Sequence, residues 1–394
     1  MSKTYINIDL PGKGQNWKVK GPENTIIRVS GIRQIPKEQQ ELLQHLPKFD
    51  GEVIIPLSGT AALIPAYLTT VNPDCKIKIF EMDSHEQRVV ERKIATFDNI
   101  TTDLVVDIPK TDAEKAMGIL LVEKNSDRLL MFEMLERFNI ILPDASPLFI
   151  TVPRNRSKDF DGKIKKLYKK VAVIAKNNEG MVFKAVTNAA KQKWSERLLE
   201  FEADIQEANV ALSSRPGIFC HGRTDTGGIA LAELADIPSD HKVLELGSGC
   251  GITGLLLAKK WINSHDGDQA QISGSIHMVD SFIRSTEISR KNIETNNMTD
   301  FVTVETNDFL QLEEEIYDSV ICNPPYYAGQ RIADYFISVA AQGLKVGGKL
   351  YIVSKHGETI REFAESYAFS VELLTRKGYD ISVCTKEPID AEVY

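Results

Sequence analysis

The sequence predicts an α/β protein built as two doubly wound units in tandem, the first a degenerate copy of the second. Through the C-terminal half, apolar strand-like runs alternate with helical patterns, which predicts a largely parallel sheet flanked by helices. The first of those strands runs directly into a glycine-rich turn. The N-terminal half repeats this succession in worn form. Length agrees with the reading. The 394 residues suit two domains, and 42% apolar with 26% charged residues excludes disordered, collagen-like and disulfide-scaffold chains.

At the N-terminus no basic segment precedes an apolar core, so no signal peptide is expected and a soluble, cytoplasmic protein is. Residues 53–73 carry no charge over nearly the length of a membrane span, but Pro56, Gly59, Pro65 and Pro73 interrupt them. A buried strand, a glycine turn and a short helix are expected there. Aligning Val53 with Val243, an offset of 190, places Ser58-Gly59 on Ser248-Gly249. At an offset of 197, residues 79–83 fall on residues 276–280 and Asn99 falls on Asn296. The first copy has Leu57 and Ala61 where the second has Gly247 and Gly251, and it lacks a counterpart of Asn323-Pro324-Pro325.

The overall net charge of −8 argues mildly against a nucleic-acid surface, yet residues 151–193 hold twelve Lys/Arg and three Asp/Glu, a local +9. That segment reads either as a solvated face or as a phosphate-binding patch. Residues 191–212 predict one charged amphipathic helix, broken by Ser213-Ser214-Arg215-Pro216-Gly217, which puts the domains at 1–195 and 210–394. Strands are then expected at 242–246, 276–279, 302–305, 319–322, 349–353 and 381–385, with helices at 252–261, 285–295 and 331–343. The five cysteines are scattered without a CxxC pair, which fits a reducing compartment and no zinc site.

Three motifs follow strands, where ligands bind in such sheets. The first is Glu245-Leu246-Gly247-Ser248-Gly249-Cys250-Gly251, a strand entering a GxGxG turn. Small residues allow close backbone approach, and the next helix offers free N–H groups. The GxGxG spacing, Glu245 and the lack of a phosphate-binding cation favour a cationic or amino-acid ligand over a pyrophosphate. The second is Asp280, placed to grip ribose hydroxyls; Asp308, or Asn307 instead, is placed to meet an adenine amino group. The third is Cys322-Asn323-Pro324-Pro325-Tyr326. Two prolines make that turn rigid, Asn323 and the Pro324 carbonyl offer converging acceptors for an exocyclic amine, and Tyr326 can stack on a planar group.

Together these residues resemble the class I S-adenosylmethionine-dependent methyltransferases of the N/DPPY amino group, over about residues 213–394. With Pro216-Gly217-Ile218-Phe219, Asp225-Thr226-Gly227-Gly228 and the segment Leu148-Phe149-Ile150-Thr151-Val152-Pro153-Arg154-Asn155-Arg156-Ser157, the chain is similar to the ribosomal RNA guanine-N2 methyltransferases. It departs at Tyr326-Tyr327-Ala328-Gly329, where that family often has an aromatic residue and then His-Asp-Gly. The resemblance implies two Rossmann-like methyltransferase domains, a degenerate RNA-positioning one and a catalytic one. It implies S-adenosylmethionine held by Glu245, Gly247, Gly249, Gly251, Asp280, Asn307, Asp308 and Asn323, with Asn323, Pro324 and Tyr326 at the reacting amine. Partners implied are ribosomal RNA or a ribosomal subunit, with no metal, no membrane and a monomeric chain. No general base is required, and a covalent role for Cys322 is rejected because a strand cysteine is commonly a small core residue. Rival readings are a protein glutamine-N5 methyltransferase, a DNA adenine methyltransferase and a non-catalytic RNA-binding assembly factor.

Overall fold

The computed structural model describes residues 3–57, 62–191, 194–308, 314–325 and 330–388, and it divides into two compact units, Met1–Glu196 and Arg197–Tyr394. The first unit opens with β1 (Thr4–Asp9), β2 (Gln15–Lys20) and β3 (Thr25–Ile32), a small sheet in the order β1-β3-β2. It buries Ile8, Val19, Ile27 and Val29 on one face. After α1 (Lys37–His45) come β4 (Glu52–Pro56), α2 (Leu63–Val71), β5 (Lys76–Glu81), α3 (Ser84–Ile94), β6 (Ile100–Leu104) and β7 (Ala116–Leu121). The unit ends with α4 (Arg128–Ile141), β8 (Pro147–Pro153), α5 (Ser157–Leu167), β9 (Lys169–Lys176) and β10 (Gly180–Val186). The uncharged stretch is the buried strand β4 and the buried helix α2, as its breakers require; its Ser58-Gly59 and Ala61 lie outside the described residues. Among the described residues no helix is long and apolar enough to cross a membrane.

The second unit begins with β11 (Leu199–Ile205) and β12 (Ala208–Ser214), an antiparallel hairpin where one long helix was expected. The correction has a plain cause. Glu, Ala and Leu favour helices singly, but Phe201, Ala203 and Ile205 alternate with charged residues at a period of two, and packing decides for strands. Then follow α6 (Thr226–Leu234), β13 (Lys242–Leu246), α7 (Ile252–Ser264), β14 (Ser275–Asp280), α8 (Ile283–Thr295) and β15 (Val302–Thr306). β16 (Tyr317–Cys322), α9 (Gln330–Gly343), β17 (Leu344–Ser354), α10 (Gly357–Ser366), β18 (Phe369–Arg376) and β19 (Tyr379–Lys386) complete the unit. All six expected strands are present, and β18, a partly exposed edge strand, is added.

Both units carry a seven-stranded sheet with one topology: β6-β5-β4-β7-β8-β10-β9 in the first and β15-β14-β13-β16-β17-β19-β18 in the second. In each, five strands run parallel and the last in sequence is antiparallel to its neighbours. The repeat is therefore in the fold, but its register differs from the sequence alignment by two residues at β14 and by five just before β15. Leu57 N–H donates to the Phe80 carbonyl at 2.8 Å, as Gly247 N–H donates to Val279 at 2.8 Å. Val105 N–H donates to Glu81, as Asn307 N–H donates to Asp280. The counterpart of Asp280 is thus Glu81 rather than Asp83, an offset of 199 (280 minus 81) rather than 197. Asn99, whose carbonyl accepts from Ile77, corresponds to Phe301 and not to Asn296. A slip of two leaves every side chain on its own face of the sheet, so the apolar pattern is blind to it. Leu57 keeps φ at 50°, close to the 70° of Gly247, so the residue that follows the strand keeps its left-handed conformation after its glycine is gone. For a leucine that costs about 1–2 kcal/mol.

Candidate active site

The parallel strands β13, β14, β15 and β16 end along one edge of the second sheet, and the sequence motifs lie there. Past β13 the chain turns sharply: Gly247, Gly249 and Gly251 all have positive φ (70°, 58° and 87°). Gly247 and Ser248 N–H groups donate to the Val279 carbonyl at 2.8 and 3.1 Å, tying the turn to β14. The glycines differ in what surrounds them. A Cβ on Gly251 would lie 2.7 Å from Met278 Cε, whereas a Cβ on Gly249 would meet nothing within 4 Å among the described residues. Gly251 is favoured by its positive φ and by the Met278, Leu255 and Ser289 side chains under the turn; Gly249 meets nothing among the described residues.

Asp280 holds the turn from the side. Its Oδ2 accepts from Gly249 N–H and its Oδ1 from Phe282 N–H, both at 2.8 Å. From α8, Ser289 Oγ donates to the Gly249 carbonyl at 2.9 Å and Asn292 Nδ2 to the Cys250 carbonyl at 2.8 Å. Asn307 follows β15; its backbone N–H donates to the Asp280 carbonyl and its Nδ2 to Glu305 Oε1 at 2.8 Å. The Asp308 carbonyl accepts from Tyr335 Oη at 3.1 Å.

Glu245, expected near a cationic ligand, lies beneath the turn and is 4% exposed. Its Oε2 would sit 2.4 Å from a Cβ on Gly254 and has no hydrogen-bond partner among the described residues. Burial pushes its carboxyl up to about 8; the Gly254 N–H opposes this and Asp280 adds to it. Unfolded, the group ionises near pH 4.3. Between those values the folded state binds the extra proton, so this group's contribution to stability falls as pH rises from about 4.5 to about 8. E245Q removes that slope. In thermal melts of the ligand-free protein, wild type should lose several degrees of Tm over this window that the variant keeps; equal slopes would refute the assignment.

Leu246 pairs with Cys322 in parallel register, so Asn323 leaves β16 directly beside Gly247 leaving β13. Asn323 Nδ2 donates to Asp225 Oδ2 at 2.5 Å. Asp225 also caps α6, accepting from Gly227 and Gly228 N–H at 3.1 and 3.0 Å. Burial raises its carboxyl, against those three donors. Pro324 is buried, and Tyr326 lies outside the described residues. Cys322 is buried with its thiol pushed well up by burial, so it is no nucleophile. The structure thus brings Gly247, Gly249, Asp280, Asn307 and Asn323 to one edge with Glu245 below. Asp225 is the residue that site selection from sequence missed, although Asp-Thr-Gly-Gly before an apolar run is a helix-start signal. Among the described residues no group of three His, Cys, Asp or Glu is placed to hold a metal.

Residues 209–382 match the methyltransferase small domain. The second unit is a methyltransferase domain. Over 197 residues the chain is 27% identical to the uncharacterized protein YbxB of Bacillus subtilis, covering 48% of this chain and 90% of that one. It is 29% identical over 181 residues to the ribosomal RNA small subunit methyltransferase C of Haemophilus influenzae, covering 44% of this chain. Only about half the length of that relative is spanned, 51%. Among solved structures, the 16S rRNA N2 methyltransferase of T. thermophilus, in complex with AdoMet and guanosine, superposes with a TM-score of 0.70 at 18% identity. The superposition covers 95% of this chain and 99% of that chain, so the fold is shared through both units and not only through the methyltransferase domain.

Proposed function

We propose that this chain transfers a methyl group from S-adenosylmethionine to the exocyclic 2-amino group of a guanine in ribosomal RNA. The observation that carries the reading is the strand register that sets Asn323-Pro324 beside the Gly247–Gly251 turn, acceptor for an amine next to a cradle for a nucleoside. The cradle suits S-adenosylmethionine. Gly249 has open space before it, and the buried Ser248 Oγ has no partner among the described residues. Asp280, fixed by two backbone N–H groups at the end of β14, would hold the ribose hydroxyls, and Asn307 and Asp308, just past β15, would meet the adenine. The relatives named as ribosomal RNA methyltransferases supply the acceptor class.

S-adenosylmethionine supplies an electrophilic methyl on a cationic sulfur that leaves as a neutral thioether. The protein must orient a weak nucleophile, since the guanine amine shares its lone pair with the ring. Asn323 Oδ1 and the Pro324 carbonyl accept its two N–H bonds and direct the lone pair at the methyl. The proton departs to water after transfer, so no base is needed. The base must be unstacked to enter, at a cost of a few kcal/mol that a junction or partly assembled subunit lowers.

The first unit would position the RNA. Lys166, Lys170 and Lys176 in its basic segment are exposed, in keeping with a phosphate-facing surface. Replacing all three by alanine should reduce the slope of log affinity against log salt by about two to three units, measured by filter binding on ribosomal RNA from 50 to 200 mM salt. An unchanged slope would place the RNA elsewhere. The reading as a whole is tested with labelled S-adenosylmethionine, ribosomal subunits and naked rRNA, followed by nucleoside mass spectrometry. N2-methylguanosine is the expected product; label found only in protein would overturn it. A protein glutamine acceptor finds no support in the first unit, which is a sheet-based domain rather than a helical bundle.

A further inference from the structure

We propose that Asp225 is a positioning residue that fixes which way the Asn323 carboxamide faces, presenting Oδ1 rather than Nδ2 to the amine being methylated. This rests on the amine-methylation reading above. A primary amide has two near-isosteric faces, one that donates and one that accepts, and only the accepting face can hold a substrate N–H. An ionised carboxylate accepts only. Asp225 Oδ2 stands 2.5 Å from the Asn323 side-chain amide, so the group facing it must be the NH2 and Oδ1 is turned to the other side. The reverse orientation would oppose two acceptors and lose a charge-assisted bond.

Asp225 is itself held firmly enough to impose that choice. Each of its oxygens takes a backbone N–H from the first turn of α6, Oδ1 from Gly227 and Oδ2 from Gly228. Gly228 leaves no latitude. A Cβ there would lie 2.8 Å from Asp225 Oδ2 and 2.9 Å from Thr253 Oγ1. Asn323 is anchored on its other side by β16 and by Pro324, which bars the α region to the residue before it. The segment Asp225-Thr226-Gly227-Gly228 therefore reads as a mount that aims a side chain 98 residues later in the chain.

The test uses substitutions that keep the helix cap. Asn caps helices about as well as Asp, so D225N should leave Tm and cofactor affinity close to wild type. Its single oxygen keeps the Gly227 N–H, so its NH2 takes the place of Oδ2 toward Asn323, giving up the Gly228 bond and inverting the amide of Asn323. We expect kcat on ribosomal RNA to fall about 100-fold with little change in KM. In the double variant D225N/N323D the amide and the carboxylate change places, the hydrogen bond is restored with an acceptor oxygen still facing the amine, and at least about tenfold of the loss should return. A purely structural cap predicts no loss in D225N and no rescue. Either result overturns the proposal. Side-chain amide NMR of Asn323 separates the two readings: its resonance should shift strongly between wild type and D225N whatever the substrate. If it shifts while wild type leaves every rRNA unmodified, the substrate reading fails and the positioning role stands. If it does not shift, the positioning role fails.

Discussion

Asn323→Ala is expected to lower kcat for methyl transfer by about 10²–10³-fold, because the variant removes a fixed acceptor that strengthens as the amine becomes tetrahedral. Affinity for S-adenosylmethionine should change by less than about tenfold, since Asp280 and the glycine turn remain in place. The split follows from position. Asn323 lies past β16 and is held by Asp225, whereas the turn it faces is tied to β14 through Val279 and Asp280. Equilibrium binding of the cofactor and single-turnover methylation of rRNA, measured on one preparation, check both halves. Full activity in the variant would remove Asn323 from the reaction.

Gly251→Val should have the largest effect on stability. Its φ of 87° costs a side chain about 1–2 kcal/mol, more when β-branched, and the new atoms collide with Met278 Cε and Ser289 Oγ under the turn. Overpacking adds about 1–3 kcal/mol, for a total near 3 kcal/mol. For a unit of this size that is about 6–12 °C of Tm. Gly249→Ala is the contrasting variant. It carries a similar positive φ, which costs about 1–2 kcal/mol, but meets nothing within 4 Å among the described residues, so its melt should fall by less than that of Gly251→Val while cofactor affinity drops. Differential scanning calorimetry with and without cofactor separates them. Equal losses of Tm would mean that Gly249 is as enclosed as Gly251.

Much of the molecule was legible in the chain. The alternation of apolar runs located six strands of the methyltransferase domain, and the rigid turn Asn323-Pro324-Pro325 announced a site because few structural turns need that combination. Failures have specific causes. Residues 199–214 are strands because alternate side chains pack inward, although their composition suits a helix. The two-residue slip between the copies went unseen because strand periodicity repeats every two residues. Asp225 was passed over because its partner is 98 positions away, and sequence distance says nothing about which side chains meet.

Local quantities are written in the chain: where most strands lie, where glycine or proline governs the backbone, and that one α/β unit occurs twice. Those follow from side-chain periodicity and from φ, which a residue carries with it. Which loops share an edge, which glycine is hemmed in by side chains, that Glu245 is buried beneath the turn, and that Asp225 meets Asn323 emerge only in the folded chain. These depend on strand order and register. Strand order is fixed when whole sheets bury their faces together, and no single segment contains that information.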